Sequence, residues 1–259
     1  MLGKLLKYDL RANLKIFLFI WPAIVVFSLL ERLLVALMPS SSQIAQVLII
    51  MTIMVFMMAL VAACIFSLVI SVIRFYSGLL RDEGYLMFTL PVKTWQLVLS
   101  KLISAFVFVF GTALLSVLGG YCLLDALPNF SATFFTTIRY IVQGSDENVL
   151  ILVLAAVNFV LSPIALLLQV YFSCSIGHLG KRLRVLWSIL TFYGVSVVMQ
   201  IVNTVAIVVI PFGLSDKLAL TEIQTAVLTQ GFTCIESIAL CVVFFFVSER
   251  ILRRHLNLE

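Results

Sequence analysis

Apolar residues in this chain of 259 fill whole stretches rather than one face of a period, and short polar segments separate them. The stretches cover residues 17–38, 44–73, 97–124, 149–176, 185–212 and 223–248. At about 1.5 Å of helix per residue, each can cross a hydrocarbon core roughly 30 Å thick. A barrel strand would need only about ten residues and would alternate apolar with polar, whereas these runs are longer and apolar throughout. Only a helix satisfies its own backbone in lipid over such a length. The pattern predicts an all-α, polytopic membrane protein with six transmembrane helices.

Composition leads the same way. The chain is 63% hydrophobic and 11% charged, with a mean hydropathy of +1.20. A soluble domain is nearer half apolar and a quarter charged, so lipid must solvate most of this surface. Lys and Arg set the orientation. One side carries Lys4, Lys7, Arg11, Lys15, Arg74, Arg81, Lys93, Lys101, Lys181, Arg182, Arg184, Arg250, Arg253 and Arg254; the other holds Arg32, Arg139 and Lys217. The richer side is expected to be cytoplasmic, with both termini on it. The net charge of +5 is then a topology signal and not a nucleic-acid surface. The first apolar run is too long for a signal peptide and ends without an Ala-x-Ala site.

Residues 1–15 differ from the spans. Lys4, Lys7, Arg11 and Lys15 lie within about 80° of helical arc, with Leu2, Leu5, Leu6 and Leu10 opposite. That is the pattern of an amphipathic helix lying in the membrane interface, distinct from the six-helix domain over 16–249 and from a cytoplasmic tail at 250–259. Glu31-Arg32, at the outer end of the first span, pairs opposite charges where they can reach the interface. The outer segments 125–148 and 211–222 are too short to fold as domains.

The chemistry of catalysis is missing. The chain has no phosphate-binding loop, no His-Glu-x-x-His and no Gly-x-Ser-x-Gly, and its two histidines, His178 and His255, sit at membrane ends. The five cysteines are odd in number, lie in apolar spans and lack metal-ligand spacing, so packing is their expected role. No catalytic residue, metal site or cofactor of this chain's own is expected. Polar stripes are present instead. In the fifth span Tyr193, Ser196, Gln200, Asn203 and Thr204 fall within about 100° of arc. The fourth span carries Asn158, Ser162, Gln169 and Ser173, and the sixth Thr229, Gln230, Thr233, Glu236 and Ser237. Such stripes serve either hydrogen bonding between helices or the lining of a path. Ser67 and Ser71 of the second span join the fifth-span residues as candidates for that lining. Glu236, near mid-span, is either a structural partner within the bundle or a proton or cation site.

The segment between the second and third spans mixes charge with residues that call for burial, the mark of a docking surface. It reads Asp82-Glu83-Gly84-Tyr85-Leu86-Met87-Phe88-Thr89-Leu90-Pro91, followed by Leu99-Ser100-Lys101. Gly84 can bend the chain and Pro91 forbids a helix through it, so two short helices are expected here. This Glu-Gly-Tyr-Leu…Thr-Leu-Pro…Ser-Lys pattern resembles the corresponding loop of ABC type-2 permeases of Gram-positive bacteria, and the plan of the whole chain is similar to theirs. The resemblance implies a bacterial cell membrane and a cytoplasmic coupling helix seated on a separate ABC ATPase. Arg81, Asp82, Glu83, Gly84, Tyr85 and Leu86 would be the contact, supported by Thr89, Leu90, Pro91 and Lys93. It implies two ATPase copies that bind the ATP and Mg, a second permease chain, identical in the simplest case, and a path faced by the first, second and fifth helices. Among such permeases, small ones without an outer domain are most similar to exporters of amphipathic peptides, including cytolytic toxins of the phenol-soluble modulin type. Two other classes compete: an ion-coupled secondary transporter using Glu236, and a membrane scaffold that transports nothing.

Overall fold

The computed structural model describes residues 2–37, 43–80, 93–124, 130–144, 146–178, 180, 183–209 and 221–254. They form seven helices, with no strand among the described residues: α1 (Leu2–Leu37), α2 (Gln43–Leu80), α3 (Thr94–Leu124), α4 (Phe130–Gln143), α5 (Asp146–His178), α6 (Arg184–Val209) and α7 (Glu222–Arg254). All but α4 are long and apolar enough to cross a membrane, and they coincide with the six apolar runs. The chain is an all-α protein with six such helices.

Two features depart from the sequence reading. The segment 1–15 is not a separate helix, because α1 continues through it for 36 residues, or about 54 Å. No break is needed where Asn13 and Phe17 are already buried on the same face. A short helix, α4, also lies within the segment 125–148, for which no element was expected. Phe130, Phe134, Ile138 and Ile141 recur on one side of it, and Tyr121 of α3 packs on Phe130 and Phe134 with ring centroids 6.3 and 5.5 Å away.

The described helices divide into two compact units. The first takes in Met1–Ser71 and Ile103–Arg139. Here α1 and α3 lie side by side and parallel, as two odd-numbered spans must. Asn13 Nδ2 donates to Ser104 Oγ at 3.1 Å, and Trp21 Nε1 donates to Thr112 Oγ1 at 3.1 Å; both pairs are 91 residues apart. Small residues on α3 make the approach close. A Cβ on Gly111 would meet the Trp21 ring at 2.8 Å, and one on Gly119 would meet Ser28 Oγ at 2.5 Å. Phe17 stacks on Phe108 at 4.7 Å, and Ile24, Val35, Phe56, Leu60 and Leu123 close the core.

The second unit takes in Val72–Leu102 and Tyr140–Glu259. Its central rod is α5, against which α7 packs along most of its length and α6 along less of it. Pro163 lies inside α5, where neighbouring helices can shelter the freed carbonyl. Phe75 of α2 and Tyr171 of α5 are completely buried and stacked 3.8 Å apart, and the Tyr171 hydroxyl donates to the Lys101 carbonyl at 3.4 Å. At the opposite end Thr221 and Gln224 cap α7 reciprocally, each backbone N–H donating to the other's side-chain oxygen at 3.3 Å. Gln224 Nε2 then donates to Glu147 Oε1 of α5 at 3.0 Å, so the two helix starts are tied together.

Candidate functional site

Several polar residues of the second unit bond from one of its helices to another. Asn158 on α5 donates to Thr233 Oγ1 on α7 at 2.9 Å. Gln169 on α5 donates to Ser196 Oγ on α6 at 2.7 Å and to the Phe192 carbonyl at 3.4 Å. Thr191 on α6 donates to the Ser173 carbonyl at 3.3 Å, and Asn203 Nδ2 on α6 donates to Glu236 Oε1 on α7 at 3.2 Å. Each such bond contributes about 0.6 kcal/mol in a membrane bundle. Together they tie α6 and α7 to α5 and to each other.

Three residues of the fifth span escape this use. Tyr193, Gln200 and Thr204 are exposed and fall within roughly 40° of arc, while Ser196 and Asn203 lie about 60–80° to one side, turned inward. Tyr193 is 69% exposed. The Thr204 hydroxyl donates to the Gln200 carbonyl at 2.8 Å, whereas among the described residues none takes the Gln200 side-chain amide. Helix α6 buries none of its residues, so this stripe runs along a face that the second unit leaves open. An amide moved from water into hydrocarbon without a partner costs roughly 4–8 kcal/mol. A lipid tail is therefore a poor neighbour for Gln200.

The other candidates distribute as follows. Ser67 and Ser71 belong to the first unit, are buried, and donate along their own helix to the Cys64 and Ser67 carbonyls at 2.7 and 2.9 Å. Neither reaches an open surface. Lys93 is exposed, and its carbonyl accepts the Gln96 N–H at 2.9 Å as α3 begins. Arg81, Asp82, Glu83, Gly84, Tyr85, Leu86, Thr89, Leu90 and Pro91 lie outside the described residues, as does His255. Glu236 has the structural partner described, Asn203. Glu31, expected at the interface beside Arg32, is instead only 8% exposed, and its Oε2 accepts no hydrogen bond. The offset of 91 places it level with Cys122 of α3. Among the described residues no group of His, Cys, Asp and Glu could hold a metal ion.

Sequence reasoning missed a cavity of about 590 Å³ in the second unit, bounded by the C-terminal ends of α2 and α5 and the first turns of α6. Val72, Val170 and Phe192, all half-buried, line it, and Ser77 and Ser188 stand towards the helix ends. No run of one helix announces it, because three separate helices contribute a few residues each. Tyr193 belongs both to this cavity and to the exposed stripe.

No family model, curated protein or solved structure matches the chain. Its class therefore rests on its own architecture: six apolar helices of spanning length, with polar bonds between them, make a multi-pass membrane protein of the kind that transporters are built from.

Proposed function

We propose that this chain is the membrane-spanning subunit of an ATP-driven ABC exporter that moves amphipathic peptides, cytolytic or antimicrobial, out of a bacterial cell. The observation that carries this reading is the Tyr193–Gln200–Thr204 stripe, an exposed polar face on a span that buries nothing. A face of that kind suits a wet path for a cargo that is itself half polar. The chain has no phosphate-binding loop, so the nucleotide chemistry belongs to a partner. The mixed charged and apolar segment 81–93 supplies the surface on which such a partner would dock.

In the proposed assembly two copies of this chain meet two copies of a cytoplasmic ATPase, which bind the ATP and Mg. Both termini and the 81–93 segment face the cytoplasm, following the Lys and Arg bias. ATP binding closes the ATPase pair, and the docking segments transmit that closure to the spans. Each state must make contacts the other lacks, or nucleotide could not shift the equilibrium.

The test is co-purification of the tagged chain with the ATPase encoded beside it, followed by ATPase assay in lipid. Stable association, with turnover changed by charge reversal at Asp82 and Glu83, is the expected result. A chain that purifies alone, or an ATPase indifferent to those reversals, would overturn the proposal and favour ion coupling or a scaffold.

A further inference from the structure

Helix α4 has an apolar face that the first unit covers only in part. Its 14 residues reach about 21 Å, too short for a hydrocarbon core roughly 30 Å thick, so it is not a seventh span. Phe130, Phe134, Ile138 and Phe135 fall within about 140° of helical arc, with Ser131 the one polar residue among them. Thr133, Thr136, Thr137 and Arg139 take the other side. All of these residues belong to the first unit. The Thr136 hydroxyl donates to the Ala132 carbonyl and the Thr137 hydroxyl to the Thr133 carbonyl, both at 2.8 Å. Neither side chain needs a partner beyond the helix.

Four rings lead from the spanning helix α3 onto this face. Tyr121 packs on Phe130 and Phe134, Phe130 stacks with Phe134 at 6.0 Å, and Phe134 meets Phe135 edge-on at 5.7 Å. Tyr121 stands one turn beyond Val117 and Leu118 on the same side of α3, and both of those are 57% exposed. In a helix that crosses the bilayer, apolar residues so exposed meet acyl chains. Apolar surface therefore runs from the lipid side of α3 to Phe135, which is 61% exposed. Tyr121 lies about 4.5 Å short of the last residue of α3, at the level where aromatic side chains gather as hydrocarbon gives way to water.

We infer that α4 is an interfacial anchor, docked on the phospholipid leaflet that meets the C-terminal end of α3. Phe135, Ile138 and the open edge of Phe134 enter the acyl boundary, while Thr133 and Thr136 look toward water. Arg139, exposed at the border between the two sides, can reach a lipid phosphate. A helix with one apolar face, one polar face and too little length to span lies in the membrane surface in this way. The anchor is independent of the exporter reading, because it needs only that α3 crosses a bilayer.

The test is accessibility along α4 in the full chain, reconstituted in phosphatidylcholine vesicles. Thr133→Cys, Phe135→Cys, Thr136→Cys and Ile138→Cys are made singly and spin-labelled. The native cysteines all lie in spans, and wild type taken through the same labelling supplies the background. Labels at 135 and 138 should collide with oxygen, which concentrates in the bilayer, and labels at 133 and 136 with a water-soluble nickel chelate. Phe135→Asp should reverse that ratio at 138, since the acyl boundary expels a carboxylate. Should Ile138→Cys loosen the helix, Phe135→Cys and Thr136→Cys decide the matter alone, both positions being exposed. Nickel-rich collisions at every position would overturn the inference and put α4 in water. Protection of 135 and 138 from both reagents would also overturn it, and would give the face to a protein such as a second copy.

Discussion

Gly177 and Gly194 stand 17 positions apart in the second unit, and the same substitution should act on them with opposite sign. Alanine gains about 0.5–1 kcal/mol over glycine inside a helix, because less backbone entropy is lost. At Gly194 nothing lies within 4 Å of an added Cβ, so Gly194→Ala should keep that gain. At Gly177 the Cβ would strike Ser188 Oγ, and would also lie 2.6 Å from the Ser188 nitrogen and 2.7 Å from the Arg184 carbonyl oxygen. The last two are main-chain atoms and cannot rotate away. Relief to ordinary contact requires the first turn of α6 to retreat from α5 by roughly 0.8 Å, and overpacking of this kind costs about 1–3 kcal/mol. The backbone clash places it toward the upper end, so Gly177→Ala should lose about 2 kcal/mol net. The assay is reversible unfolding of each variant in mixed micelles, followed by tryptophan fluorescence. A Gly177→Ala protein as stable as wild type would show that α5 and α6 do not approach so closely, and the reasoning would fail.

Three further outcomes follow from the described contacts. Asn203→Ala and Glu236→Ala should couple in a double-mutant cycle by about 0.6 kcal/mol, within the range of membrane hydrogen bonds; independent effects would remove the pair. Gln200→Leu should leave the fold at least as stable, since it deletes an amide with no described partner. On the exporter reading it should lower transport without loosening ATPase association, and unchanged transport would take Gln200 out of the path. Thr221→Ala removes the reciprocal cap of α7 and should cost about 1 kcal/mol, readable as faster amide exchange in its first turn; exchange unaltered from wild type would show the cap idle.

The spans were legible because lipid imposes a long apolar run on any helix that crosses it. Helix ends were not. Runs set at 44–73 and 223–248 sit inside helices reaching Leu80 and Arg254, since hydropathy reports the part in hydrocarbon and a helix can project beyond it. The amphipathic charge pattern over 1–15 was real, yet it did not mark a break, because a polar face is as compatible with an overhanging helix as with a separate one. The helix α4 could have been found from Phe130, Phe134, Ile138 and Ile141, had its segment been read for periodicity and not only for length. Burial was the least legible quantity. Ser67, Ser71 and Glu31 sit in spans apolar on every side, where no moment points inward, so only the packed structure shows that they are covered.

Sorting polar groups by whether they are satisfied is what reduces many candidates to a site. Asn158, Gln169, Asn203 and Glu236 belong with Gln200 to the polar stripes of the sequence, but each has a partner on a neighbouring helix. Bonds of that strength hold a bundle together. Gln200, with Tyr193 and Thr204 on the same side of α6, is left outside that accounting. Retaining an amide there has a purpose only if something polar meets it: water in a path, a polar side of the cargo, or the same stripe on a second copy. In the proposed dimer these cease to be alternatives. Two such faces set opposite one another enclose a wet lumen, and a peptide with one polar side could cross it without exposing that side to lipid.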